Sequence, residues 1–401
     1  MAENSNLASA KNAKNDEFYT QYSDIENEMN AYITYNPDVF RDKTILLPCD
    51  DPEWSNFTRY FAMNFVRFGI KRLISTSYAK SPSNRQLTLF ESASDIYDAD
   101  KHDTHGKLFI LESDGSHVDI DDLKFTYLDG DGDFRSEEVT KLRDESDIII
   151  TNPPFSLFRE FLAWIMESKK QFVIIGSKNA ITYKEVFPLL KNNEMWLGPS
   201  FAGGNAYFRI SPDKLRDFAD GVYDDTTGLV KFRNVGWFTN IDHCGRHEPL
   251  ILDTKAHNLK YNKKLKKKLD GWDVSDYPKY DNYDAIEVPF TECIPIDYDG
   301  FMGVPITFLD KYCPEQFDIV GLLQSSTDEQ AGIPNLRYYN DFKEMRQDMS
   351  FTGSSGGKAN GNPVVKGKSQ KGNFLFNPVT GEYVHSVYAR ILIRYKKGVN
   401  P

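Results

Sequence analysis

The clearest change of pattern along the chain falls at Asp147–Phe155, where Asp-Ile-Ile-Ile-Thr runs into Asn-Pro-Pro-Phe. Consecutive isoleucines leave no polar face, the pattern of a strand buried on both sides of a parallel sheet. Pro153 and Pro154 remove two backbone donors and fix two φ angles, so the strand stops there. From Ser156 onward, Phe158, Phe161, Leu162 and Ile165 recur at helical spacing and predict an amphipathic helix. A stiff polar loop is thus expected at the carboxyl end of a buried strand, where open α/β sheets bind ligands.

The same alternation organises the first half. Ser23 and Glu26 form a capping-box pattern for a helix reaching Ile33, with Phe18, Tyr19 and Thr20 in an ordered loop before it. Thr44–Pro48 is an apolar strand, followed by Phe57, Tyr60, Phe61, Phe65 and Val66 at core spacing. Leu73–Thr76 reads as a strand, and Lys107–Leu111 and Lys124–Leu128 as a hairpin or consecutive strands. Ser136 caps a helix opening with Glu137 and Glu138, as the helix dipole favours. Gln171–Gly176 is a further strand. Strands alternating with helices predict parallel βαβ units in a doubly wound sheet with helices on both faces.

After Lys184–Lys191, a short helix, the pattern becomes aromatic strands at Glu194–Gly198, Ala206–Ile210 and Gly236–Asn240. Beyond Asp253 no βα period is visible. Tyr261–Leu269 reads as a basic helix, and Gly353–Gly372 as a mobile loop of Gly, Ser, Asn and Lys. The last strand, Tyr388–Tyr395, puts Arg390 and Arg394 on one face. The expected organisation is a disordered lead-in at 1–15, an α/β domain at 16–252 and a mixed α+β region at 253–401.

Composition narrows the class. The chain has 401 residues, 40% hydrophobic and 27% charged, which suits a soluble globular protein of two or three domains. No apolar run approaches a membrane span, and Met1–Asp16 lacks the apolar core of a signal peptide. Cys49, Cys244, Cys293 and Cys313 are scattered without a Cys-x-x-Cys pair, so a reducing, cytoplasmic setting is expected. A net charge of −11 opposes a nucleic-acid partner at first sight. Its distribution changes that reading. Acids such as Asp119, Asp121, Asp122, Asp129 and Asp131 gather early. Lys255, Lys260, Lys263, Lys264, Lys266, Lys267 and Lys268 follow with no acid among them. From Phe351 on, Lys358, Lys366, Lys368, Lys371, Arg390, Arg394, Lys396 and Lys397 stand against Glu382 alone. Each run fits a solvated face as well as a phosphate-contacting one.

Candidate chemistry concentrates in three loops. In Asn152–Phe155 the side-chain oxygen of Asn152 and the carbonyl of Pro153 are two acceptors on a stiff backbone. An exocyclic amine such as adenine N6 offers two donors. Acceptors off the ring plane draw the nitrogen toward pyramidal form and free its lone pair to attack an electrophilic methyl group. Phe155 offers a face for base stacking, worth roughly 1–3 kcal/mol. The competing reading is a strand-ending turn with a core phenylalanine. After the Thr44–Pro48 strand, Cys49-Asp50-Asp51-Pro52 has two carboxylates and no Gly-rich phosphate cradle. That suits a cationic, amine-bearing or ribose-bearing ligand, and S-adenosylmethionine fits. In Asp129–Ser136 an EF-hand fails, because Phe134 and Thr140 stand where the loop glycine and the final glutamate belong. Asp133 and Phe134 fit either an ordinary Gly-rich turn or a site for an adenine amine and ring. His243, Cys244 and His247 lack a second ligand pair, and no metal is expected.

Several segments together resemble the EcoRI-like adenine-specific DNA methyltransferase family. They are Asp-Glu-Phe-Tyr-Thr-Gln (16–21), Cys-Asp-Asp-Pro (49–52), Ser-Asn-Phe (55–57), Gly-Asp-Phe-Arg-Ser (132–136) and the Asp-Ile-Ile-Ile-Thr-Asn-Pro-Pro-Phe run. Further along come Gly-Ser-Lys-Asn-Ala-Ile-Thr-Tyr-Lys-Glu (176–185), Trp-Phe-Thr-Asn (237–240) and Arg-His-Glu-Pro-Leu (246–250). Met-Gly-Val-Pro-Ile-Thr-Phe-Leu-Asp-Lys-Tyr (302–312) and Tyr-Ala-Arg-Ile-Leu-Ile-Arg (388–394) complete the set. The resemblance implies a Rossmann-like, S-adenosylmethionine-dependent methyltransferase acting on adenine N6 in double-stranded DNA. By that resemblance Asn152, Pro153, Pro154 and Phe155 are the catalytic tetrapeptide. Phe18, Tyr19, Thr20, Cys49, Asp50, Asp133 and Phe134 match the cofactor motifs. The loop after the first strand departs from wider methyltransferases in lacking glycines.

With that function, Trp237 or Phe238 is expected to stack on the flipped base. Lys263, Lys264, Lys266, Lys267, Lys268, Lys366, Lys368, Lys371, Arg390 and Arg394 are expected to grip the DNA backbone from a C-terminal recognition region. A cognate restriction endonuclease as partner, an orphan or phage enzyme, and the oligomeric state are left open. Cytosine N4, RNA adenine, a protein glutamine amide and a non-catalytic DNA-binding module remain alternatives.

Overall fold

The computed structural model describes residues 19–52, 55–79, 98–102, 104–112, 125–201, 205–209, 221–325, 330–367 and 372–396. Phe18, Lys368 and Lys371 lie outside them. The fold is mixed α/β in two compact units, one within 1–179 and 195–244, the other within 180–194 and 245–401. Among the described residues, no helix is long and apolar enough to cross a membrane.

The strands of the first unit are β1 (Tyr19–Thr20), β2 (Thr44–Leu47), β3 (Arg72–Thr76), β4 (Lys107–Glu112), β5 (Phe125–Tyr127) and β6 (Ile148–Thr151), then β7 (Gln171–Ser177), β8 (Trp196–Leu197), β9 (Asn205–Arg209), β10 (Tyr223–Asp224), β11 (Leu229–Arg233) and β12 (Val235–Thr239). Its helices are α1 (Tyr22–Tyr35), α2 (Asn56–Met63), α3 (Phe65–Phe68), α4 (Ala99–His102), α5 (Glu137–Glu145) and α6 (Phe158–Ser168). The main sheet has the order β5-β4-β3-β2-β6-β7-β12-β8. Only β3, β2, β6 and β7 run parallel; β4, β5, β12 and β8 join antiparallel, so the sheet is mixed rather than wholly parallel. Every residue of β2 and of β6 is buried, as their uninterrupted apolar runs require.

Local details differ from the sequence expectations for physical reasons. α1 begins at Tyr22 with Gln21 as N-cap, so Ser23 lies inside the first turn and the capping box does not form. Phe57, Tyr60, Phe61 and Phe65 are buried, but Val66 is 69% exposed. Asn64 leaves helical geometry between α2 and α3, which turns the next residues out of phase. A 3-10 turn at Phe155–Leu157 precedes α6, whose Phe158, Phe161, Leu162 and Ile165 are all buried. Tyr19 and Thr20 are in a strand rather than a loop, in a second sheet of order β1-β9-β11-β10. Their register is Tyr19 with Arg209 and Thr20 with Phe208.

The second unit contains α7 (Phe187–Lys191), α8 (Lys255–Tyr261), α9 (Lys263–Asp270) and the strands β13 (Ala285–Glu287), β14 (Phe301–Pro305), β15 (Phe317–Leu323), β16 (Lys343–Met345) and β17 (Phe351–Ser355), then β18 (Val364–Lys366), β19 (Phe374–Phe376), β20 (Tyr383–Ser386) and β21 (Arg390–Tyr395). They form sheets of order β13-β14-β21-β15 and β17-β16-β19-β20-β18. The basic helix is broken at Asn262, which caps α9 by accepting from Leu265 N. The stretch read as a mobile loop is ordered from 353 to 367: it holds the end of β17, a 3-10 turn at Gly356–Ala359, and β18. Its small polar residues conceal close packing. A Cβ on Gly356 would stand 2.3 Å from the Tyr339 carbonyl. Asn282 binds the segment from both sides, accepting from Val364 N at 3.0 Å and donating to the Asn362 carbonyl at 2.8 Å.

Candidate active site

The chain reaches the site by two routes, the carboxyl ends of β2, β3 and β6 and the segments flanking β4 and β5. The direction of strand succession reverses between β2 and β6, since β3 lies on one side of β2 and β7 beyond β6. Such a reversal opens a crevice at the strands' carboxyl ends.

Asp50 stands there, 6% exposed. Its Oδ1 accepts from the Ser55 hydroxyl at 2.7 Å and its Oδ2 from the Thr151 hydroxyl at 2.6 Å. Its backbone N–H donates to the Thr76 carbonyl at 2.9 Å, and its own carbonyl accepts from the Ser75 hydroxyl at 2.5 Å. Burial pushes the Asp50 carboxyl up to about 7, against the lowering effect of the Thr151 and Ser55 hydroxyls. Ser55 also caps α2, accepting from Phe57 N and Thr58 N. Next to it, the Asn56 amide donates to the Thr20 carbonyl at 2.8 Å, joining β1 to the same cluster. The Thr20 hydroxyl oxygen is buried and has no hydrogen-bond partner among the described residues. Cys49 is half-buried and outside any disulfide. Asp51 is buried, with Lys107 Nζ at 3.8 Å. The same ammonium lies 4.8 Å from the centroid of the Phe125 ring.

The Gly-Asp-Gly-Asp segment is built by close approach of backbones. Ala79 N donates to the Asp131 carbonyl at 2.6 Å and Gly106 N to the Gly130 carbonyl at 2.9 Å. Gly132 has φ +78°, and a Cβ there would lie 2.2 Å from the Ser77 carbonyl oxygen. A Cβ on Gly106 would lie 2.4 Å from that same oxygen. Only glycine lets the three segments cross. Beyond the crossing, Arg135 pairs with Asp133 at 2.6 Å and with Glu160 of α6 at 2.9 Å. That guanidinium holds the Asp133 carboxyl below the usual range. Phe134 is buried edge-on against Phe161 and Trp164, with centroids 5.0 and 5.6 Å away.

Asn152 and Pro154 are half-buried and Pro153 buried where β6 ends. Phe155 is half-buried and meets Phe208 and Phe232 edge-to-face at 6.3 and 5.9 Å. The structure therefore gathers Thr20, Asp50 and the start of the Asn152–Phe155 loop around one cluster of hydroxyls.

Two sets of expected residues lie elsewhere. Trp237 and Phe238 are fully buried. Trp237 stacks on Phe201 at 5.7 Å and Phe238 packs on Phe158 at 5.2 Å. Both belong to the core of β12, where rings are already covered on each side, so the expected base-stacking role is withdrawn. Arg390 faces inward, its guanidinium donating to both oxygens of the fully buried Glu287 at 2.7–3.1 Å. Tyr280 donates to the same carboxylate. This arginine neutralises a buried acid, so its expected place on the DNA backbone is withdrawn. Arg394 pairs with Asp318 at 3.2 Å, Lys366 with Asp281 at 3.5 Å and Lys264 with Glu292 at 2.9 Å. Lys263, Lys266, Lys267 and Lys268 are exposed on α9, opposite buried Leu265 and Leu269.

Ser55, Ser75, Thr151 and Lys107 join the site without having been expected there from the sequence. Ser55 carried a signal, standing one residue ahead of an apolar helical run as N-caps do. Thr151 carried a weaker one, a hydroxyl at the end of a wholly apolar strand. Nothing in the pattern distinguishes Lys107 from a surface lysine.

The family described as "Adenine-specific methyltransferase EcoRI" matches residues 6–396. The type II methyltransferase M.EcoRI of Escherichia coli is 42% identical over 321 residues, covering 80% of this chain and 89% of that protein. The type II methyltransferase M.MpnI of Mycoplasma pneumoniae is 33% identical over 316 residues, covering 78% and 84%. M.MgeORF184P of Mycoplasma genitalium is also 33% identical, over 320 residues, covering 78% and 85%. No solved structure matches significantly. Because the family match runs from residue 6 to residue 396, through both units, the chain belongs to the EcoRI family of adenine-specific methyltransferases.

Proposed function

We propose that the chain methylates N6 of adenine at a specific site in double-stranded DNA, with S-adenosylmethionine as methyl donor. In this reading the first unit is a Rossmann-like catalytic domain and the second reads and grips DNA. The chain then serves as the modification enzyme of a restriction–modification pair, as the type II names of its relatives suggest.

The observation that carries the proposal is the fully buried β6 ending in Asn152-Pro153-Pro154-Phe155 beside the Asp50 loop. An adenine inside a duplex is shielded, so the base is flipped out at a cost of a few kcal/mol. Asn152 Oδ1 and the Pro153 carbonyl accept the two N6 hydrogens. The nitrogen lone pair leaves conjugation with the ring and becomes nucleophilic. S-adenosylmethionine supplies an electrophilic methyl on a sulfonium. With the donor bound, the methyl group would pass to N6, the C–S electron pair would remain on sulfur as a thioether, and one N6 proton would leave to solvent. Phe155 supports the base by stacking.

The crevice suits such a donor. The Thr20 hydroxyl is a buried polar group without a protein partner among the described residues, as a ligand-facing hydroxyl would be. Asp51 and Asp133 offer carboxylate oxygens that would accept from an amine and ribose hydroxyls, with Lys107 and Arg135 beside them. Cys49, Tyr19 and Phe134 would flank it, and Asp50 would act from beneath.

Asn152→Ala tests this. Methyl incorporation should fall to background while duplex binding by gel shift persists; near-parent turnover would remove Asn152 from the chemistry. Digesting the methylated product to nucleosides separates N6-methyladenosine in DNA from N4-methylcytosine and from RNA products.

A further inference from the structure

Thr151 and Asp50 are separated by 101 positions in sequence, yet the hydroxyl of one donates to the carboxylate of the other at 2.6 Å. Thr151 is fully buried and Asp50 nearly so, which leaves little room for water to take over the bond. The β2–β6 ladder runs through Ile45 with Ile148 and Leu46 with Ile149. Beyond that register the two strand ends part at the crevice, and the Asp50–Thr151 bond spans the gap.

The other end of Asp50 is equally anchored. Ser55, which donates to Oδ1, is itself held by the first backbone N–H groups of α2. Ser75 completes the set, donating to the Asp50 carbonyl and sharing a 2.7 Å hydrogen bond with the Thr58 hydroxyl. A continuous path therefore runs from the start of α2 through Ser55 and Asp50 to Thr151. Thr151 shares a peptide bond with Asn152.

Resting on the assignment of Asn152 as the acceptor for the amine, we propose that Asp50 and Thr151 are positioning residues that fix the Asn152 loop against the donor-binding loop after β2. The Asp50 carboxylate serves the chain's own hydroxyls, and its action on the reaction passes through Thr151. Removing the hydroxyl leaves the loop free to relax away from the strand end. A shift of about 1 Å between reacting groups lowers a rate on the order of 100-fold. Duplex affinity, set elsewhere, stays as it was.

Thr151→Val and Thr151→Ser test this on the full chain, with Asn152→Ala beside them. The valine variant should lose about 100-fold in kcat, the scale of a 1 Å misplacement, with KM for DNA and the binding constant for S-adenosylmethionine near the parent's. The serine variant, which keeps the hydroxyl, should regain most of the turnover. Asp50→Leu, close in volume but with no polar atom to meet the Thr151 hydroxyl, examines the same bond from its acceptor side and should lower kcat in the same way; should either variant fail to fold, the other decides. Parent kcat in a folded Thr151→Val or Asp50→Leu chain overturns the positioning role. A loss that appears in KM and thermal midpoint alone, without a kcat change rescued by serine, also overturns it. If Asn152→Ala keeps its turnover, the assignment of the acceptor fails instead, so the two failures are distinguishable.

Discussion

Glu28 Oε2 accepts the backbone N–H of Ser200 at 2.9 Å, tying α1 to the turn after β8. The Tyr32 hydroxyl donates to the other oxygen at 2.5 Å. The carboxyl is fully buried, and a Cβ on Gly198 would stand 1.9 Å from it, so no side chain fits between. Burial pushes Glu28 from 4.5 up to about 7. Its folded value exceeds its unfolded one, so between these values the folded chain holds more protons. The stabilising contribution is full below the unfolded value and is lost as pH rises through about 7. Glu28→Gln should flatten the decline in unfolding free energy over that window by up to about 1.4 kcal/mol per pH unit. Urea unfolding of parent and variant at several pH values measures it; parallel slopes would show that Glu28 takes up no proton there.

Arg390 is expected to matter for folding and not for DNA. Arg390→Met leaves Glu287 buried without its cation, and breaking such a pair costs about 3–5 kcal/mol. Denaturant unfolding reads that loss directly. The salt dependence of DNA binding by the chain that remains folded should match the parent's. A shallower salt slope would return Arg390 to the DNA backbone.

The lysines of α9 are expected to behave in the opposite way. Replacing Lys263, Lys266 and Lys267 with glutamine should leave stability almost unchanged, because these side chains are solvent-exposed and only Leu265 and Leu269 of the helix are buried. The log–log slope of DNA affinity against salt should fall by about 0.9 for each phosphate that is no longer neutralised. Lys264, engaged by Glu292, should contribute less. An unchanged slope takes α9 out of the DNA interface.

What could be read from the sequence was local. β6, its proline stop and the buried face of α6 follow from neighbouring residues alone, and all three are present. The acidic turn after β2 was equally visible. The direction of its first carboxylate was not, because its donors come from positions 55 and 151. Trp237 failed as a stacking residue because an aromatic ring in a short strand looks the same whether a base or Phe201 covers it. Arg390 failed because a charge pattern cannot register Glu287, on another strand of the same unit. The Gly353–Gly372 segment looked loose because glycine and asparagine are common in mobile loops. Here Gly356 fits against Tyr339, and Asn282 and Asn362 carry the hydrogen bonds of a packed strand.

The pairing of β1 with β9 also sets an order of events in folding. Tyr19 and Thr20 leave the ribosome well before Phe208 and Arg209, their partners. At ordinary synthesis speeds that delay is on the order of ten seconds or more. Meanwhile β2, β3 and the helix carrying Asn56 can assemble, and Asn56 offers Thr20 a provisional anchor. Closing so long a loop is entropically slow. The wall of the crevice that bears Thr20 is therefore completed late, so an agent that captures nascent β1 would disable the enzyme without touching Asn152.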